Sequence, residues 1–124
     1  MQHFTELKVW QRSHKLVLAV YKLTATWPKH ELFGLTSQAH RAAVSVPANI
    51  AEGAKRNSAN QYSHFLNIAE ASLAEVEYLL LLARDLGYLT EAQHQPIATE
   101  VGEISRMLHA LRIKVGGSAT DPNC

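Results

Sequence analysis

The sequence predicts an all-α chain folded as an antiparallel up-down-up-down four-helix bundle. Three observations predict it. Apolar residues recur at steps of three and four in four separate stretches, the period of a helix with one buried face. β-Branched residues are scattered and no alternation of period two persists, so strand signals are nearly absent. The segments joining the four stretches are short, which favours antiparallel neighbours.

The first helix is expected from Thr5, an acceptable N-cap followed by Glu6, to just before Trp27-Pro28. Val9, Leu16, Val20, Leu23 and Trp27 form its seam, widened by Leu7, Trp10, Val17 and Tyr21. Lys8, Arg12, Lys15, Lys22 and Lys29 fall on the opposite arc of the wheel. A second helix follows a loop over Lys29–Leu35, with Thr36 as cap and Leu35, Ala39, Ala42, Ala43, Val46 and Ile50 as the apolar side. Small residues on that side let a neighbour approach closely. Pro47 removes one backbone hydrogen bond and is expected to kink this helix, and Gly53 marks its end.

The third helix opens with Ser58-x-x-Gln61, a capping-box spacing, and closes at Gly87. Its core line reads Tyr62, Phe65, Ala69, Ser72, Val76, Leu79, Ala83 and Leu86. The fourth opens with Thr90-x-x-Gln93, with Pro96 arguing for a kinked or late first turn, and repeats Ile97, Val101, Ile104, Leu108, Leu111 and Val115. Gly116-Gly117-Ser118 is expected to end it, so residues 1–115 read as one domain and 116–124 as a flexible C-terminal tail. In the run Tyr78-Leu79-Leu80-Leu81-Leu82 consecutive side chains point about 100° apart, which throws Leu81 off the core line. That apolar surface reads as an interface or as one tolerated exposed leucine.

At 124 residues with 47% hydrophobic and 19% charged content, the chain has the composition of a globular domain. It has no apolar run of about eighteen residues and no secretory signal pattern at its N-terminus. Its one cysteine, Cys124, cannot form an internal framework, so a cytoplasmic location is expected. The net charge of +1 makes no argument for a polyanion by itself, but its distribution does. Residues 1–30 carry the five basic residues above against Glu6 alone, while residues 58–87 carry Glu70, Glu75, Glu77 and Asp85 against Arg84 alone.

The most informative stretch is 38–56, QAHRAAVSVPANIAEGAKR. Gln38, Arg41, Ser45, Asn49, Glu52 and Arg56 are spaced by three and four and so share one strip of the second helix. Two readings stand side by side. Structurally, Gln38, Arg41, Asn49, Glu52 and Arg56 are polar groups beside the apolar face that satisfy one another or pair with the acidic third helix. Functionally, Arg41, Lys55 and Arg56 present cations to phosphates. The row Lys8, Arg12, Lys15, Lys22 and Lys29 likewise reads as a solvated face or as a polyanion surface, whose lysine excess suits backbone attraction rather than base reading.

Other chemistry finds little support. The seven histidines, His3, His14, His30, His40, His64, His94 and His109, show no tight ligand spacing and HExxH does not occur, so no metal or cofactor is expected. Ser45, Ser63 and Ser72 have no histidine–carboxylate relay beside them, and no phosphate-cradling glycine loop is present.

Leu7-Lys8-Val9-Trp10-Gln11, Tyr21, Pro28, Glu31, Leu35, Gln38, Arg41-Ala42-Ala43, Asn49-Ile50-Ala51-Glu52-Gly53, Arg56, Phe65, Ala69, Ser72, Glu75 and Leu86-Gly87-Tyr88-Leu89 together resemble the four-helix-bundle family of proteins encoded in 23S rRNA intervening sequences. The resemblance covers residues 4 to about 113, and its most specific part is RAA…NIAEG; His40 departs from it, standing where a basic residue is commoner. The resemblance implies a ring-like homo-oligomer, a pentamer. The chain is also similar to the accessory variability protein of diversity-generating retroelements, a basic pentameric barrel that binds nucleic acid and a reverse transcriptase.

The leading expectation is thus a non-enzymatic homo-oligomer acting as a sequence-independent adaptor for RNA or DNA, with a nucleic-acid-processing protein as a further partner and no membrane. The alternatives are a protein–protein scaffold without nucleic acid, and an enzyme with an intersubunit site around Arg41, Asn49 and Glu52.

Overall fold

The computed structural model describes residues 3–117. Among them are four α-helices, α1 (Lys8–Thr24), α2 (Leu35–Ala54), α3 (Ala59–Asp85) and α4 (Glu91–Gly117), with short 3-10 turns at Phe4–Glu6 and Lys29–Glu31 and no strand. Each helix packs on its neighbours in the cycle α1–α2–α3–α4, leaving α1 and α3, and α2 and α4, across the diagonals. Early α2 meets late α3 and late α2 meets early α3: Gln38 bonds to Glu75, Ser45 to Ser72, and Gly53 abuts Tyr62 and Phe65.

Local chemistry explains the helix ends. The Ser58 hydroxyl accepts from the Gln61 N–H at 3.1 Å and starts α3. At the start of α4 the box is reciprocal: the Gln93 N–H donates to Thr90 Oγ1 at 3.1 Å, and the Thr90 N–H donates to Gln93 Oε1 at 2.9 Å. That cap lets α4 begin at Glu91 despite Pro96, which sits inside the helix rather than delaying it. Gly87 takes φ +82°, the left-handed conformation that ends α3.

Several expectations need correction. Residues 4–6 form a separate 3-10 turn, so α1 starts at Lys8 with Leu7 extended before it, and it ends at Thr24, short of Trp27. Gly34, not Thr36, precedes α2; Thr36 is buried in its first turn, where Glu31 Oε1 accepts from the Leu35 N–H at 3.2 Å. Pro47 lies buried inside α2, and Gly53, one residue before α2 ends at Ala54, is also a buried close-approach position. α4 continues through Gly117, past the boundary expected at 115; residues 118–124, with Cys124, lie outside the described residues.

The core contains the whole α2 line, Leu35, Ala39, Ala42, Ala43, Val46 and Ile50, with Val9, Leu16, Val20 and Trp27 from the α1 side. From α4 come Ile97, Val101, Ile104 and Leu108. In α3 the buried line is Leu66, Ala69, Leu73, Val76, Leu79, Leu80 and Ala83. Phe65 and Ser72 are only half-buried, and Leu86 is exposed. Leu81 is 37% and Tyr78 59% exposed, as the five-residue apolar run implied.

Candidate nucleic-acid interface

Lys8, Lys15 and Lys22 are exposed on α1 at intervals of seven residues, and Lys29 repeats the interval in the 3-10 turn beyond it. Seven helical residues return to nearly the same angle, about 20° short, and advance about 10.5 Å. The three α1 ammoniums therefore project from one line along the helix. Among the described residues none of these four lysines makes an ion pair.

Arg12, expected in the same row, belongs elsewhere. Its Nε donates to Glu100 Oε2 at 2.9 Å and its Nη2 reaches both Glu100 and Glu103 on α4, while Nη1 faces Met107 Sδ at 3.5 Å. Hydrogen bonds from these carboxylates, Glu100 first, push the guanidinium pKa further up. The same contact holds Glu103 below the usual carboxylate range. A bidentate, half-buried guanidinium is a strut between α1 and α4.

Beside the lysine line, Lys15 and Lys22 flank a groove of about 580 Å³ between α1 and α4, floored by Leu16, Ala19, Leu23, Pro96 and Ile97. Their methylene stems cover apolar surface while the ammoniums stay wet.

The polar strip of α2 divides into separate contacts. Gln38 Nε2 donates to Glu75 Oε2 at 3.3 Å, and the Ser45 and Ser72 hydroxyls meet at 2.8 Å. Asn49 Nδ2 donates to the Ser45 carbonyl at 2.7 Å and to Ser45 Oγ at 2.9 Å. Arg56 Nη2 donates to Glu52 Oε1 at 3.0 Å, and its guanidinium lies 4.9 Å from the Phe65 ring centre. Lys55 Nζ sits 5.7 Å from the ring centre of Phe4. Gln38, Asn49, Glu52 and Arg56 thus each have a partner within the subunit. Arg41 is different. It is exposed, makes no ion pair among the described residues, and lines a polar recess of about 370 Å³ with Gln38, Ser45, Ser72 and Glu75.

Near Arg41 lies an arrangement that helix periodicity did not reveal. Tyr21 and His40 stack with ring centres 3.8 Å apart and planes 13° from parallel. His40 Nε2 is 2.7 Å from Thr24 Oγ1, which also lies 3.1 Å from the Tyr21 carbonyl oxygen. Burial lowers the His40 pKa, favouring the neutral ring. Exposed Leu32 and Val44 lie around the pair. The one signal in sequence was that Tyr21 and His40 belong to adjoining helices joined by a short loop.

Among the described residues no group of three or more His, Cys, Asp or Glu side chains is placed to hold a metal ion, and no helix is long and apolar enough to cross a membrane.

A family model described as 23S rRNA-intervening sequence protein matches residues 5–110. A crystal structure of a protein of unknown function from the S23 ribosomal protein family of Bacteroides thetaiotaomicron is similar with a TM-score of 0.78 at 27% identity, covering 84% of this chain and 94% of that one. No curated protein matches.

Proposed function

This chain belongs to the 23S rRNA-intervening sequence protein family, and we propose that it is a non-enzymatic adaptor that binds nucleic acid, RNA foremost, through the phosphate backbone. The observation that carries the proposal is the unpaired lysine line, Lys8, Lys15, Lys22 and Lys29. A solvated helix face ordinarily intersperses acids among its bases. Here Glu100 and Glu103 of α4 are taken by Arg12, leaving four ammoniums to a partner. Lysine recognises phosphate as a point charge, so binding is sequence-independent. Arg41 extends the basic surface; Arg12 and Arg56 leave it because both are paired.

The helices run antiparallel, up-down-up-down, which the Gln38–Glu75 and Ser45–Ser72 pairings support. Copies assemble in the cytoplasm as a ring-like homo-oligomer, repeating the lysine line in each subunit so that a modest charge sums to a strong local field. The exposed apolar residues Tyr78 and Leu81, flanked by Glu77 and Asp85, support assembly through α3. The same residues favour a second reading, a protein scaffold without nucleic acid.

Fluorescence anisotropy with a labelled RNA oligonucleotide at low salt separates the two. The adaptor reading expects binding that the double substitution Lys15→Glu, Lys22→Glu abolishes while solution mass is kept. Absence of binding by the unaltered protein would leave the scaffold reading in possession.

A further inference from the structure

We propose that the exposed ring of Tyr21, backed by His40, stacks an unpaired nucleobase, so that the strand held by the lysine line is single-stranded. The inference rests on the nucleic-acid reading above and specifies its substrate. Tyr21 is 46% exposed, yet its ring is not free to wander, because His40 covers one side at 3.8 Å. His40 is fixed in turn by Thr24 at 2.7 Å. A pre-set aromatic surface loses little freedom when a base arrives.

The surroundings suit a nucleotide beside that ring. Tyr21 and His40 together border two recesses. One, of about 230 Å³, is also lined by Lys29 and Leu32. The other, of about 360 Å³, is also lined by Arg41 and Val44. Each recess therefore holds a cation and an apolar side chain, and no carboxylate lines either. Lys22, adjacent to Tyr21 in sequence, joins the platform to the lysine line. Aromatic faces interleaved with cations are how single strands are held without base reading, since every base offers a π-face. A duplex already stacks its bases on one another and has none to offer Tyr21.

The test compares a labelled mixed-sequence RNA strand with the same strand annealed to its complement, at one low salt concentration. The unaltered protein is expected to prefer the single strand. Tyr21→Ala is expected to weaken single-strand binding by about 5- to 150-fold, the range for losing one stacked base. Duplex binding should stay unchanged and Tyr21→Trp should restore the loss. Photocrosslinking of a 4-thiouridine strand to the unaltered protein should map to Tyr21, a readout that does not depend on a variant folding. Equal affinity for both strands with no effect of Tyr21→Ala, or crosslinks that avoid Tyr21, overturns the stacking inference while the lysine proposal stands. A fall in solution mass on Tyr21→Ala marks the ring as a contact between copies and overturns it too. Failure of the unaltered protein to bind either strand overturns both readings.

Discussion

Gly53→Ala is expected to destabilise the fold although it adds a good helix former to a helix. A Cβ built on Gly53 meets Phe65 Cβ at 2.9 Å, Tyr62 Cδ1 at 3.0 Å and the Tyr62 carbonyl oxygen at 3.2 Å. None of these can step aside cheaply: one is a helical carbonyl, and the others are the root of one side chain and the ring of another. Helix propensity favours Ala over Gly by at most about 1 kcal/mol. Overpacking a tight contact costs about 1–3 kcal/mol. The sum is a net loss of up to about 2 kcal/mol, or a melting temperature lower by up to about 8 °C for a chain of this size. Gly102→Ala in α4 is the matched control, because its Cβ meets only Arg106 Nη1, at 3.8 Å. There only propensity acts, and the melting temperature should rise by up to about 4 °C. Thermal melts followed by circular dichroism read both. A Gly53→Ala protein melting at or above the unaltered one would refute the claim that Gly53 sets how closely α2 approaches α3.

Acid sensitivity provides a second prediction. The Leu35 N–H, then the Tyr88 hydroxyl, then His30 hold Glu31 below its usual 4.5. A carboxylate with a depressed folded pKa contributes stability that is complete above the unfolded value and is lost as pH falls through the folded one. Urea midpoints should therefore decline below about pH 4.5, and Tyr88→Phe should make that decline shallower; an unchanged profile would contradict it. Adjacent leucines give a third prediction: Leu80→Ala, at 1% exposure, should cost about 2–5 kcal/mol, whereas Leu81→Ser, at 37%, should change subunit folding by no more than about 0.5 kcal/mol. Chemical denaturation distinguishes them, equal losses would refute the assigned α3 face, and a drop in solution mass on Leu81→Ser is the signature of an interface there.

What the sequence revealed follows how local each determinant is. The cap at Ser58 and the box at Thr90 were legible because a cap needs only residues three apart. The α2 line was legible because polar residues bound it on both sides. In α3 several adjacent lines are apolar, and periodicity alone cannot choose among them. In the bundle Phe65 and Ser72 lie against α2, at Gly53 and Ser45, Leu86 is exposed, and Leu66, Leu73 and Leu80 fill the interior. The lysine row was visible, but the loss of Arg12 from it was not, since its partners Glu100 and Glu103 lie about ninety residues away. In the sequence Tyr21 and His40 stand on separate helices, one at the margin of a seam and the other at a departure from the family pattern. Only the α1–α2 packing brings their rings together.

The slope of affinity against salt tests the lysine line most directly. Four lysines on a single strand predict a log–log slope of about −3 per subunit, at roughly 0.7 per phosphate contact. Lys15→Gln with Lys22→Gln should flatten it to about −1.4. Binding that is insensitive to salt, or a slope that the two substitutions leave unaltered, would show that these ammoniums do not meet phosphates.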